Sequence, residues 1–443
     1  MSLGFSGLHT PCRAAPVVIE VASHHPLIQL ALVIPWHALA EMVLPDLKST
    51  TSKGKWWLGR NLKLRIHLGA LLLQWLYDLS DRQVEWAMKD NAAYQLFCGC
   101  GIVKHWHVLD HTKIEAFRSR LSPETQRQIA NQVAVWATQL GFADPSKMDI
   151  DATIQEANIA YPSDAHLMVK MTLLVNKVWT YMKKNVSFFR KDAEKKKAAF
   201  AELWYESCTQ ICNVKKYFEA LRDYDIERMP WNIRRALDQV NVYCLTYFLH
   251  VASFMGQGVI VPEKVLSFRA KAISCFNKGK FGKGFQFGRA FQLGRIGGNF
   301  LLAGSCTSLR MEDTGSVRPM IEGHQSLFGQ ERLKSCGTDR GYYSSANRKY
   351  LESLESLDEF WLQQPGVDVK SLSENDAELH ARLVNRRSGI EPLIGHAKHG
   401  GQLGHSRMKQ DETTMAAGYS AVGGFNLHQL VRHVLGKDIK VMP

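Results

Sequence analysis

Acidic residues are in short supply in this chain: 42 Asp and Glu stand against 55 Lys and Arg, a formal net charge of +13 over 443 residues. Such a balance fits a protein that meets a polyanion, nucleic acid being the commonest, or a basic protein with no anionic partner; composition alone leaves both open. The nine cysteines are an odd number and scattered, so no disulfide framework is expected and a reducing, cytoplasmic setting is. No basic segment followed by a continuous apolar run opens the chain, so no secretory leader is expected. From Gln239 to Pro262 there is no charged residue. Asn241, Thr246, His250, Ser253 and Gln257 interrupt that run, which reads as a buried core helix rather than a membrane span. Gly279, Gly282, Gly284 and Gly288 match neither a dinucleotide fingerprint nor a phosphate loop ending in Gly-Lys-Ser/Thr, and suit a basic hairpin. Cys98 and Cys100 lie one residue apart, with His105 and His107 close behind, which is not zinc-ligand spacing. Cys208 and Cys212, at helical spacing, read as core. There is no internal repeat and no low-complexity tract.

What is present falls into zones. Residues 1–140 read as an all-helical unit: an apolar helix over 64–79, a turn and cap at Ser80-Asp81, a helix over 82–89, and a helix capped by Asp110 with Ile114, Phe117 and Leu121 on one face. Such helices suit either a helix-turn-helix reader of DNA or a bundle used for packing or dimerisation. Residues 141–185 open with a strand at 147–154, whose period of two puts Asp149, Asp151 and Thr153 on one face. A helix follows, with Leu167, Met171, Leu174, Val178 and Met182 in one stripe. Residues 186–267 read as a helical insertion; the lysine cluster at 183–197 suits a solvated face or a DNA-backbone contact equally. Residues 268–443 return to strands at 285–293 and 300–303, joined by a turn at 294–298. A third strand at 333–337 runs into Thr338-Asp339-Arg340-Gly341-Tyr342, and helices follow from Asn375. Strand, helices, then strands again predict a mixed α/β core interrupted by a helical insertion.

A basic protein with a few carboxylates on core elements suggests metal-assisted phosphodiester chemistry. Mg²⁺ takes oxygen ligands, and two such ions roughly 3.5–4 Å apart can activate an attacking oxygen and stabilise a leaving one. Asp151 sits midway along an apolar strand, where a carboxylate is costly unless paired or metal-bound. Asp339 sits where a strand meets a glycine-containing turn. Glu391 has Arg387 four residues before it and Lys398 seven after, which places all three on one face of a continuous helix. Taken singly, each acid suits a turn cap or a solvated surface equally well.

The ordered set is more specific. The stretches DATIQEANIAYPSDAHLM (151–168), FQFGRAFQLG (285–294), TDRGYYSS (338–345) and NRRSGIEPLIGHAKHGGQLGHSRMK (385–409), with DHTKIEAFRSRL (110–121) in the helical unit, resemble the DDE transposases of bacterial insertion sequences. The resemblance covers most of the chain in order. It implies an RNase H-like core, with the first carboxylate on the central strand, the second at the end of a later strand and the third on a following helix: Asp151, Asp339 and Glu391. It further implies Mg²⁺ or Mn²⁺ as cofactor, two ions, with Arg387 and Lys398 on DNA phosphates. The implied partners are double-stranded DNA, as inverted-repeat ends and target, and a second protomer on that DNA. A DNA-binding derivative that no longer cuts is the alternative; metal-dependent nicking of end-sequence DNA separates the two. Two departures stand out. Val384 occupies a place where the family often carries tyrosine, and Pro392 directly after Glu391 disfavours helix there, so a kink or a helix start is expected. The family pattern Asp-x-Thr favours Asp151, with Asp149 as the competing ligand on the same strand face.

Overall fold

In the computed structural model the described residues are 20–49, 61–100, 109–159, 227–239, 265–267, 272–280, 283–304, 313–364 and 372–436, with isolated positions between them. All of the expected stripe from Leu167 but Leu174, the lysine cluster, Cys208 and Cys212, the pair His105 and His107, and nearly all of the charge-free run lie outside them. Among the described residues, no single helix is long and apolar enough to cross a membrane.

The described residues before β1 (Lys147–Glu156) are helical: α1 (Pro26–Val33), α2 (Trp36–Ser49), α3 (Asn61–Tyr77), α4 (Asp81–Asp90), α5 (Ala92–Phe97), α6 (His111–Arg118) and α7 (Pro123–Gln139). The apolar run of α3 buries Leu68, Leu72 and Leu73 completely. That helix stops at Tyr77, two residues before the expected end, because Asp78 turns to φ +50°. Ser80 then starts α4 through a reciprocal capping box with Gln83, and Asp110 caps α6 by accepting from the Thr112 N–H at 2.6 Å. Each such cap satisfies orphan donors of the first helical turn and is worth about 1 kcal/mol.

After β1 (Lys147–Glu156) come the short α8 (Trp231–Gln239), β2 (Ser274–Lys280), β3 (Lys283–Ile296), β4 (Phe300–Ala303), α9 (Asp313–Phe328) and β5 (Ser335–Gly337). The chain closes with α10 (Ser345–Glu352), β6 (Glu359–Trp361), α11 (Glu374–Ser388), α12 (Ile390–His399) and α13 (Asp411–Val434). The sheet order is β2-β3-β1-β5-β6, with β4 also paired to β3. β1 is central: it runs antiparallel to β3 and parallel to β5. The chain is therefore mixed α/β, as the sequence suggests.

Two strand expectations are corrected. The strand expected at 285–293 extends over 283–296, so Gly294 and Arg295 lie in the ladder, not in a turn. The turn is Gly297-Gly298-Asn299, where Gly298 (φ +79°) and Asn299 (φ +63°) supply the left-handed backbone a tight hairpin needs. The strand at 333–337 shortens to Ser335–Gly337.

Side chains alternate across β1. Met148 and Ile150 enter a core shared with the helical first part, with α9, and with Phe300 and Leu302 of β4. The opposite face carries Asp149 and Asp151 and is covered by α11 and α12. Next along that face, Phe291 and Leu293 of β3 meet Ile390, Leu393 and Ile394 of α12 and Tyr419 and Val422 of α13. Each such buried side chain is worth about 1.5–3 kcal/mol, so α12 is firmly seated. The edge strand β4 is covered by helices: Asn131 bonds both backbone groups of Ala303, and Asn426 both of Leu301. At Gly288 the strands come so close that a Cβ would lie 1.9 Å from the Gln155 carbonyl oxygen.

Candidate active site

The end of α11 builds the site. Ser373 caps its start, Glu374 and Asp376 fill its first turn, and Arg386 and Arg387 its last, so the charges complement the helix dipole at both ends. The helix cannot continue, because the Pro392 nitrogen has no proton for the carbonyl of Ser388. Gly389 ends α11 and begins α12, and Pro392 falls in the first turn of α12, where a missing N–H costs nothing. The break expected at Glu391 is thus a boundary between two helices. One expectation falls with it: Arg387 is on α11, while Glu391 and Lys398 are on α12, so the three do not share one helical face. Arg295 of β3 fills the junction, donating to the Arg386 carbonyl at 2.8 Å. A Cβ on residue 389 would meet that guanidinium at 2.1 Å, so a larger residue there would have to displace the Arg295 head.

Tandem arginines on this last turn face alternate acids on β1. Arg386 donates through Nε to Asp149 at 2.8 Å and through Nη1 to the Ser335 hydroxyl at 2.7 Å. Asp149 is almost fully buried. Burial pushes its carboxyl up from the usual range, and Arg386, Arg295 and Arg387 pull against that. The competing strand acid is therefore engaged by Arg386.

Arg387 lies between Asp151 and Asp339. Its Nη2 is 3.0 Å from Asp151 and 3.3 Å from Asp339. Burial raises the Asp151 carboxyl; Arg387 opposes the shift, and the Asp339 charge adds to it. Burial alone would lower the Arg387 guanidinium, but Asp151 and Asp339, with Glu391 further down, hold it above its ordinary value. Arg387 is thus firmly cationic. Its Nε is buried and has no hydrogen-bond partner among the described residues.

Asp339 lies two residues past β5 and accepts from the Gly341 N–H at 2.8 Å, starting the single turn Arg340–Tyr342. Glu391 is exposed in the first turn of α12, within electrostatic reach of Arg387. Lys398 is half-buried in the last turn of the same helix. The fold therefore joins Asp151 and Asp339 directly through Arg387, with Glu391 flanking them. Among the described residues no three acidic, His or Cys side chains are grouped closely enough to hold one metal ion. Cys98, whose thiol burial pushes upward, and Cys100 are free thiols packed beside Arg65.

Behind the two aspartates runs a polar chain that sequence reasoning missed. The fully buried Tyr342 hydroxyl donates to Gln292 Oε1 at 2.7 Å, and Gln292 Nε2 donates to Asp313 at 3.0 Å. Burial, then Asp313, Asp151 and Asp339, push the Tyr342 phenol far up, so it stays a donor. A Cβ on Gly341 would lie 3.0 Å from an Asp313 oxygen and 3.2 Å from one of Asp339, so these carboxylates also neighbour each other. The doubled arginine was a visible signal for Arg386; nothing local marks Gln292 or Asp313.

Residues 19–120 match the family model described as a transposase domain, DUF772. That match falls within the helical first part of the chain. Another similar protein is "Uncharacterized protein ORF8 in nfe locus" of Rhizobium meliloti, 29% identical over 148 residues, which are 32% of this chain and 68% of the relative. No solved structure matches.

Proposed function

We propose that this chain, whose helical first part is similar to a transposase domain, cuts DNA at the ends of a mobile element and joins them to target DNA. The observation that carries this reading is the convergence of Asp151 and Asp339, remote in sequence, on one cationic nitrogen. In a basic chain, acids gathered around a cation are what divalent-metal phosphoryl chemistry requires. The sheet supports an RNase H-like core: the first acid is on central β1, the second two residues past the end of β5, and Glu391 on a helix packed against β1.

The donor set fits Mg²⁺ or Mn²⁺, since the groups that already surround a cation are all carboxylate oxygens. Asp151 and Asp339 would hold the ions, with Glu391 joining from α12. Two bound ions would lower the pKa of an attacking water and neutralise the leaving oxygen. The chain's own residues do the positioning. The N–H of Gly341 orients Asp339, the buried ladder fixes Asp151, and the docked apolar stripe of α12 aims Glu391. Arg387 and Lys398 would contact DNA phosphates, and paired element ends would bring a second protomer. Asp339→Asn is expected to retain binding to element-end DNA in a gel shift and to lose end cleavage. Cleavage at the parental rate would overturn the assignment.

A further inference from the structure

The guanidinium of Arg387 stands between the two carboxylates that this reading gives to metal. Two like charges brought together in a half-buried site repel unless a cation lies between them. Arg387 Nη2 is that cation, touching both acids, with Glu391 adding to the field. The pose has a cost, for the Arg387 Nε is buried with no partner among the described residues; an unmet buried donor is unfavourable. The backbone beside it is not tied into a longer helix, because α11 ends one residue on, at Ser388. Arg386 is clamped on Asp149 and Ser335, so the Arg387 side chain can swing while the last turn stays seated.

We propose that Arg387 is a resident counter-ion that competes with divalent metal for Asp151 and Asp339, so that metal binding expels it toward the DNA phosphates. The inference rests on the metal reading above and deepens it. It makes the two roles of Arg387, neutralising the empty acids and gripping the backbone of DNA, mutually exclusive. A guanidinium suits both, since carboxylate and phosphate offer it the same bidentate geometry.

The test is Mn²⁺ binding to the full chain without DNA, read by the paramagnetic resonance signal of the free ion. R387Q should bind Mn²⁺ tighter by about tenfold or more, the effect of losing one charge-assisted contact. R387K, a cation without the planar fork, should fall between. D151N/D339N should lose binding. A second readout is melting in EDTA and in Mn²⁺: the ion should raise the melting temperature of R387Q more than that of the parent. Equal or weaker binding by R387Q and R387K overturns the competition. If all three Arg387 forms bind alike while D151N/D339N does not, the metal reading stands and only this inference falls. If none binds, the metal reading fails and this inference with it.

Discussion

Asp149 and Asp151 share one strand face, yet their surroundings predict opposite consequences for the same kind of substitution. Asp149→Ala removes the partner of Arg386, which among the described residues keeps the Ser335 hydroxyl and a long 3.5 Å contact to the Met148 carbonyl. Burial raises the Asp149 carboxyl in spite of Arg386, so the intact pair adds little net stability. The loss comes from stranding the arginine. Breaking a buried pair from one side costs about 3–5 kcal/mol. With the Arg386 side chain 21% exposed, about 3 kcal/mol is expected. Asp151→Asn leaves Arg387 its contact with Asp339 and relieves the burial of a charge, so stability should stay within about 1 kcal/mol of the parent. Urea unfolding followed by circular dichroism measures both, and end cleavage is assayed on the same preparations. D149A should shift the midpoint strongly, whereas D151N should keep its midpoint and lose cleavage. An unshifted D149A, or a D151N that unfolds several kcal/mol more easily, would refute the division into a structural and a catalytic acid.

Gly288→Ala should prise β3 from β1, since the new methyl would sit 1.9 Å from the Gln155 carbonyl oxygen; a loss of about 3 kcal/mol in urea unfolding is expected. Tyr342→Phe strands the buried Gln292 oxygen, so about 1–3 kcal/mol of stability should go, together with part of the cleavage rate as the support behind Asp339 slackens. His324 donates from Nε2 to the Pro145 carbonyl, while its buried Nδ1 has no partner among the described residues, and burial lowers its pKa from 6.5 to about 4. Because the folded ring resists the proton, the unfolded chain binds it first. The contribution of His324 is therefore intact above pH 6.5 and shrinks as pH falls toward 4, by about 2 kcal/mol at pH 5. His324→Gln should flatten that part of the stability profile; an unchanged slope between pH 7 and 5 would count against it.

Local patterns carried a good deal of this protein. Ser80 and Asp110 announced helix starts because capping is settled within four residues of chain, and both caps form. The alternation of 147–154 announced β1 with its two acids on one face, because a strand's side chains alternate whatever it pairs with. Pro392 announced a break, because a missing N–H is a property of the residue itself. Other features depended on which segments meet. The reach of β3 to Ile296 follows from its pairing with β1 and β4, and the end of α11 at Gly389 moved Arg387 off the helix that bears Glu391. The sequence alone presented Asp149 and Asp151 as near-equals, since spacing cannot tell which arginine will face which acid. Tertiary packing decided it: the last turn of α11 sets Arg386 against Asp149 and Arg387 between Asp151 and Asp339. The partner of a buried charge is chosen by the three-dimensional neighbourhood that desolvates it, and that neighbourhood comes from segments far apart in the chain.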